Sequence, residues 1–351
     1  MKIFASAPTR IDLAGGTLDL EPLYLFHPGA SSVNLAITLP ATVALTPRSG
    51  RSVVVAAHDR GQTLRAASAK ALPAGKLPLL TAAIAHFAPT SGFTLETDCA
   101  APAGSGLGGS SSLIVALVAA FQKWQKLSPP FPSPLGGEGR VRGNLDKEKI
   151  LKIAKGIETA VIKVPTGFQD YLPALYGGLN VWHFGTDGMR REALRLRSGF
   201  LKTLERQLVL AFTGVPHFSG TNNWEIFKRH VDGNARVRRL FDRLRDNAAA
   251  MAAALRAQNL AQVARVLNRD WQVRRQLAPG VSTPTIDRLV REGKRIGVLG
   301  SRVCGAGGGG CVAFLARPGR IAAVRAWLLD QQVVVLRYKI DHRGLRVKVT
   351  P

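Results

Sequence analysis

The sequence predicts a mixed α+β protein in two parts, and three observations carry that expectation. Residues 2–58 are dominated by strand-like sequence, including the β-branched run at 52–57 that follows turn material at 48–51. Residues 223–275 are strongly helical, with an alanine-rich stretch at 247–255 of high helix propensity. Two glycine-rich loops, at 104–109 and 305–310, each stand where a strand-like run meets another element. The division between the parts falls near 185–205, giving expected domains of 1–190 and 191–351.

The elements follow in order. Residues 77–88 read as a helix, 93–98 as a strand, and about 110–127 as an apolar helix. The segment 128–145 is dense in Pro and Gly and has no apolar period, so it is expected to be a disordered insertion. A helix resumes over about 146–162. The loop Pro165-Thr-Gly-Phe-Gln-Asp170, the segment 171–176 and Gly177-Gly178 come next. Strands are expected at 179–184 and 207–213, and a helix at 284–296. After the second glycine loop come a strand at 311–315, a helix at 321–329 and a strand at 333–338. No internal repeat is present.

Bulk composition limits the function classes. A hydrophobic content of 46% over 351 residues supports a real core. Three cysteines (Cys99, Cys304 and Cys311) are too few for a disulfide framework, and no Cys/His set has zinc spacing. The start runs straight into strand-like sequence, and the apolar helix after the first glycine loop is too short to span a bilayer. A soluble cytoplasmic protein that does not bind a membrane is expected. The net charge of +25 suits anionic partners. Most arginines, however, alternate with apolar residues at helical spacing, as in 236–245, which reads as a solvated helix face. Zinc-finger, RNP-like and basic-zipper patterns are absent.

The stretch Pro102-Ala-Gly-Ser-Gly-Leu-Gly-Gly-Ser-Ser-Ser112 carries the chemistry. Glycines let a backbone approach a ligand closely, and a helix start offers free N–H groups to an anion. Gly104, Gly106 and Gly109 satisfy G-x-G-x-x-G, but the second strand and acidic residue of a dinucleotide site are missing. The Gly-Lys pairs at 75–76 and 293–294 do not fit a Walker A loop. What remains is a serine-rich phosphate cradle.

These residues resemble the nucleotide loop of the GHMP kinases, P-x-G-x-G-L-G/S-S-S-A, with Gly109 where a serine is common. Two further segments agree in order. Ala7-Pro-Thr-Arg10-Ile-Asp-Leu-Ala-Gly15-Gly16 is similar to the family's first motif. Gly300-Ser-Arg302-Val-Cys-Gly305-Ala-Gly-Gly-Gly-Gly310 is similar to its third, with Arg302 where lysine is usual. Gly156-Ile-Glu158 and Pro165-Thr-Gly-Phe-Gln169-Asp170 resemble the segment bearing its carboxylates. Among members, the sugar kinases related to D-glycero-D-manno-heptose 7-phosphate kinase are the nearest match.

The resemblance implies a ribosomal-S5-like N-terminal half, a ferredoxin-like C-terminal half, and ATP- and Mg²⁺-dependent phosphorylation of a sugar or sugar-phosphate hydroxyl. It implies ATP contacts from Pro102, Gly104, Ser105, Gly106, Leu107, Gly108, Gly109, Ser110, Ser111, Gly307 and Gly308. Ser110 and Glu158 would hold Mg²⁺. Asp170 would orient or deprotonate the acceptor hydroxyl, with Arg10 beside it. Asp19, Gly16, Gln169 and Gly309 would face the acceptor. The alternatives are a family member acting on mevalonate, phosphomevalonate or homoserine, and a non-enzymatic nucleic-acid-binding protein. Each residue also has a plain structural role open to it. Asp170 could be a helix N-cap, Glu158 a solvated helix-face carboxylate, Arg10 a surface charge, and Asp19 a cap for a helix starting at Leu20. The glycines at 305–310 could make only a tight turn, and Cys304 and Cys311 could be small packing residues.

Overall fold

A computed structural model describes residues 1–127, 145–216 and 219–351. The expected insertion at 128–145 lies, apart from Leu145, outside the described residues. The first part contains β1 (Lys2–Ala14), β2 (Ser31–Arg48), β3 (Val53–Ala57), β4 (Gln62–Ala66), α1 (Pro78–Phe87), β5 (Gly92–Cys99) and α2 (Gly109–Leu127). It continues with α3 (Lys147–Ile162), α4 (Tyr171–Tyr176), β6 (Leu179–Gly185) and β7 (Gly188–Ala193). Then follow α5 (Ser198–Gln207), β8 (Leu208–Phe212), α6 (Ser219–Val231), α7 (Ala235–Arg256), α8 (Leu260–Arg274) and α9 (Pro284–Ile296). The chain closes with β9 (Val298–Val303), β10 (Cys311–Ala316), α10 (Ile321–Asp330), β11 (Val334–Leu336) and β12 (Arg346–Thr350).

The strands form two sheets. The larger runs β12-β1-β2-β5-β3-β4, with β6 and then β7 branching from β2. Strand β2 can fork because it is long: its first residues pair with β6 and its last eight with β5. The smaller sheet runs β11-β8-β10-β9 and is antiparallel throughout. Numbered within itself, that order is 4-1-3-2, with helices between its first and second and its third and fourth strands. This is the expected ferredoxin-like arrangement. Sheet membership does not follow a division at 190/191, because that point falls inside β7 and β12 returns to pair with β1.

Local sequence explains most helix starts. The Asp146, Asn234, Asn259 and Thr283 side chains accept N–H groups in the first turns of α3, α7, α8 and α9. Proline opens α9, where its missing N–H costs nothing. Helix α2 is of another kind: residues 114–121 are all fully buried. A helix apolar on every side must run through a core, and α2 packs on β1 and β2 with its first turn at the glycine loop.

Two packed cores result. One collects the faces of α1, α2 and α3 against the large sheet and extends to Val209, Phe314 and Leu328 on one face of the small sheet. The other joins Ile11 and Leu35 of that sheet to Met251, Leu255 and Leu267 of α7 and α8 and to Leu210 of the small sheet. Both cores contain residues of the two sheets and so hold them together. Strand β1 runs through the junction and is buried from Ala5 to Ala14, including Ser6, Thr9, Arg10 and Asp12. Register shifts against β2 fall between Ala7 and Thr9 and between Asp12 and Ala14. Such irregularities re-aim side chains next to functional sites, and here they bracket the two charged residues of the strand.

Candidate active site

The glycine loop meets α2 at the junction of the two sheets. Gly104, Gly106 and Gly108 all have positive φ, a conformation that residues with a Cβ rarely adopt. The loop therefore folds back on itself before α2 begins. Ser112 Oγ donates to the Pro8 carbonyl at 2.8 Å, which ties the first turn of α2 to β1. At Gly109 a Cβ would stand 3.0 Å from Cys99 Sγ. A side chain there would need Cys99 to give way by a few tenths of an ångström. Burial pushes the Cys99 thiol up to about 11, and Cys304 up to about 12, so both act as packing groups.

Arg10 is 1% exposed and joins three elements of the site. Its Nε donates to Asp170 Oδ1 at 2.8 Å, and Nη2 donates to the same oxygen. Its Nη1 donates to the Gly106 carbonyl, and its backbone N–H donates to the Leu107 carbonyl at 3.0 Å. One residue thus holds both the loop and a carboxylate. Burial works against the Arg10 charge, but Asp12 and Asp170 outweigh it and hold the guanidinium above its usual range. Asp170 is 30% exposed in its side chain and packs under the loop, 3.2 Å from where a Gly108 Cβ would lie. Although it stands at the N-cap of α4, its side chain makes no cap bond. The capping and surface-charge roles open to Asp170 and Arg10 are therefore not the ones they fill.

Glu158 comes from α3 and is buried, not solvated. It accepts from Ser110 Oγ at 2.5 Å and from Ser111 Oγ at 2.7 Å. Burial raises its carboxyl, while bonds from Ser110, Tyr171 and Ser111 pull the other way. Asp19 is also buried and accepts the Gln169 N–H at 2.8 Å. It does not cap a helix starting at Leu20. A Cβ on Gly167 would stand 1.8 Å from Asp19 Oδ2, so only glycine lets this segment close over the carboxylate. Burial, then the Asp170 charge, pushes Asp19 up to about 6. Gly16 lies where Gln169 Oε1, Arg274 Nη1 and Arg302 Nη2 converge, each 3.0–3.1 Å from the Cβ it lacks.

The second glycine loop serves the fold directly. Gly308 N–H bonds to the Val281 carbonyl at 2.9 Å, and Gly310 N–H to the Val215 carbonyl at 2.9 Å. A Cβ on Gly307 would lie 2.3 Å from the Val281 carbonyl, and one on Gly309 2.6 Å from the Val215 carbonyl. At Gly310 it would lie 2.7 Å from the Ser105 carbonyl, and Cys311 N–H bonds to that same oxygen at 2.7 Å. Gly307 and Gly309, expected to line a ligand, are therefore required first by close approach of the chain's own backbone. The two loops touch at Ser105, whose side chain is buried.

Sequence reasoning did not single out Asp12 or Asp270 and gave no role to Arg274 or Arg302. All four are buried around Gly305 and Gly15. Arg302 spans from Asp270 Oδ2 at 3.2 Å to Asp12 Oδ2 at 3.9 Å. Arg274 donates to Thr17 Oγ1 and to the Gly305 carbonyl, and burial with the nearby Arg302 charge brings it down to about 10. The signal available was spacing. Charges at 10 and 12 share one face of an apolar strand, and 270 and 274 share one face of α8.

The glycine loop at the start of α2, the tethered Asp170 and the buried Glu158 of the next helix bring together the groups that a small-molecule phosphotransferase needs. Residues 78–178 match the GHMP kinases N-terminal domain and residues 251–330 the GHMP kinases C-terminal domain, so the chain belongs to the GHMP kinase family. It is 26% identical over 352 residues to a D-glycero-alpha-D-manno-heptose 7-phosphate kinase of Campylobacter jejuni, covering 98% of each chain. It is 27% identical over 316 residues to a mevalonate kinase of Archaeoglobus fulgidus, covering 88% of this chain and 91% of that one. The fold is shared with a D-glycero-D-manno-heptose 1-phosphate kinase of B. thetaiotaomicron, with a TM-score of 0.75, 21% identity and 99% of each chain covered. Among the described residues, no helix is long and apolar enough to cross a membrane.

Proposed function

We propose that this protein transfers the terminal phosphoryl group of ATP to a hydroxyl of a sugar or sugar phosphate. The likeness to heptose phosphate kinases over the full chain favours such an acceptor. The observation that carries the mechanism is the Arg10 bridge, which holds an acceptor-side carboxylate and the phosphate loop with one guanidinium. The backbone of 104–109 and the start of α2 cradle the phosphates. Asp170 orients the acceptor hydroxyl and takes its proton, and Arg10 keeps that carboxylate in place while countering charge at the transferring group. Gln169, Gly16 and Asp19 hold the other acceptor hydroxyls.

The donor set at Ser110 and Glu158 fits Mg²⁺, since it offers oxygen only and includes one buried carboxylate ringed by hydroxyls. Bound there, Mg²⁺ would neutralise phosphate charge. The direct test is ADP release with a panel of hexoses, heptoses and their phosphates, with mevalonate and homoserine alongside. Stimulation by a sugar or sugar phosphate above the hydrolysis background is expected. Stimulation by mevalonate or homoserine alone would replace the sugar reading.

Asp19 supplies a pH-dependent check on its own role. Folded Asp19 keeps its proton to about pH 6, whereas in an unfolded chain it titrates near 4. Between those values the folded state binds the extra proton, so stability falls as pH rises through the window. Above it the carboxylate costs about 3 kcal/mol, because about two pKa units are involved at about 1.4 kcal/mol each. Asp19→Asn should therefore raise Tm over wild type at about pH 8 but not near pH 4, while raising the acceptor KM. Thermal unfolding at both pH values and acceptor titration measure this. An unchanged acceptor KM would remove Asp19 from the acceptor site.

A further inference from the structure

We propose that Asp12 is a positioning residue for phosphoryl transfer, holding Arg10 and Gly305 so that both glycine loops stay in register with Asp170. The proposal rests on the reading of Asp170 as the acceptor-side carboxylate. Asp12 and Arg10 are two apart on β1 and therefore share a face. Asp12 Oδ1 lies 3.1 Å from Arg10 Nε, and Asp12 Oδ2 accepts the Gly305 N–H at 3.2 Å. The Gly305 carbonyl is held from the other side by Arg274 Nη2 at 2.7 Å. Gly305 is thus held at both its N–H and its C=O, and Asp12 supplies the first of those anchors. Arg302, set against Asp270, backs the same carboxylate.

Through Arg10 the chain of contacts continues to the first loop at Gly106 and Leu107 and to Asp170. The two loops also touch directly, at Cys311 and Ser105. Asp12 thus touches both Arg10 and the second loop. A guanidinium is a rigid planar fork, so its orientation sets where its partner carboxylate points. Asp12 and Asp170 both engage the Nε edge of Arg10. Removing the Asp12 charge leaves that edge with a single anion and frees the fork to tilt toward it. A small displacement of a reacting group costs rate more than binding.

Asp12→Asn keeps the shape and removes the charge. The expected result is a fall in kcat of about 10- to 100-fold, with smaller changes in KM for ATP and for acceptor. The Asp12→Asn/Asp170→Asn double variant should be no slower than Asp170→Asn alone, because Asp12 acts through that carboxylate. Asp12→Glu, which restores charge at a shifted position, should recover part of kcat. Asp12→Asn loses the stability of a buried ion pair on either reading, so Tm does not discriminate; for a merely structural residue the rate effect would multiply with that of Asp170→Asn. Wild-type kcat in folded Asp12→Asn, or a multiplicative double variant, overturns the proposal. If Asp12→Asn does not fold, Asp12→Glu takes its place in the same cycle. Wild-type turnover in Asp170→Asn would instead sink the acceptor-carboxylate reading, and the Asp12→Asn rate by itself would then decide the role of Asp12.

Discussion

Asp170→Asn should lower kcat by about 10²- to 10⁴-fold, the range that a positioned acid or base contributes, while KM for ATP stays near wild type. The geometry separates these effects. Asp170 packs beside Gly108 and is bonded by Arg10, whereas backbone N–H groups make the proposed phosphate cradle. An asparagine oxygen still accepts from Arg10, and Arg10 keeps Asp12 as its anion. The fold should hold, because the side chain is partly exposed and the change is isosteric. What disappears is the capacity to take a proton from the acceptor hydroxyl. Steady-state kinetics with both substrates varied, together with Tm, provide the measurement. Turnover within a few-fold of wild type would reduce Asp170 to an orienting group and shift the chemistry to the loop and Arg10.

The sequence showed the ends of this site more clearly than its middle. Glycine loops, the strand-to-helix junction before α2 and the Gln169-Asp170 turn are local patterns, and local patterns are visible in one dimension. The tether between them is not local. Arg10 and Asp170 are separated by 160 residues, and Asp12 and Gly305 by 293. Composition hid these charges further, because +25 counts buried Arg10, Arg274 and Arg302 with exposed Arg236, Arg239 and Arg243 of α7. The glycines of the second loop were visible, but their cause was not: the carbonyls of Val215, Val281 and Ser105 occupy the space a Cβ would need.

The elements missed have physical reasons as well. Strand β7 is a charged, exposed edge of the sheet, so it lacks the apolar alternation that marks a half-buried strand. Strand β9 contains Gly300, Ser301 and Arg302 and reads as loop until its pairing with β10 is known. Strand β12 belongs to a sheet whose other strands end more than 150 residues earlier. Helix α5 was also passed over, although its cycle of Leu201 and Leu204 is regular. The single helical block at 223–275 resolves into parts of α6, α7 and α8, broken where Asn234 and Asn259 cap new helices.

Arg10→Met should be the most damaging single change to the folded state. The methionine fills similar volume but leaves two carboxylates without their shared cation. Removing one partner of a buried ion pair typically costs about 3–5 kcal/mol, since the remaining charge stays desolvated. Among the described residues, Asp12 would retain Arg302 at 3.9 Å, the Arg274 charge and the Gly305 N–H. The Gly106 carbonyl would lose its side-chain donor as well. The pH dependence has a definite sign. In the wild type, despite burial, the surrounding arginines hold Asp12 below its ordinary carboxylate range. That group contributes stability above its unfolded pKa of about 4, and the contribution is lost as pH falls through the folded value. Without Arg10 much of it is absent, so the deficit against wild type is largest at neutral pH and narrows in acid. Urea unfolding of both proteins across that range measures the effect. Arg10→Lys keeps the charge but not the fork, so it should recover stability more than kcat. Equal stability of Arg10→Met and wild type at neutral pH, or wild-type turnover in Arg10→Lys, would contradict the role of Arg10 as the joint between loop and carboxylate.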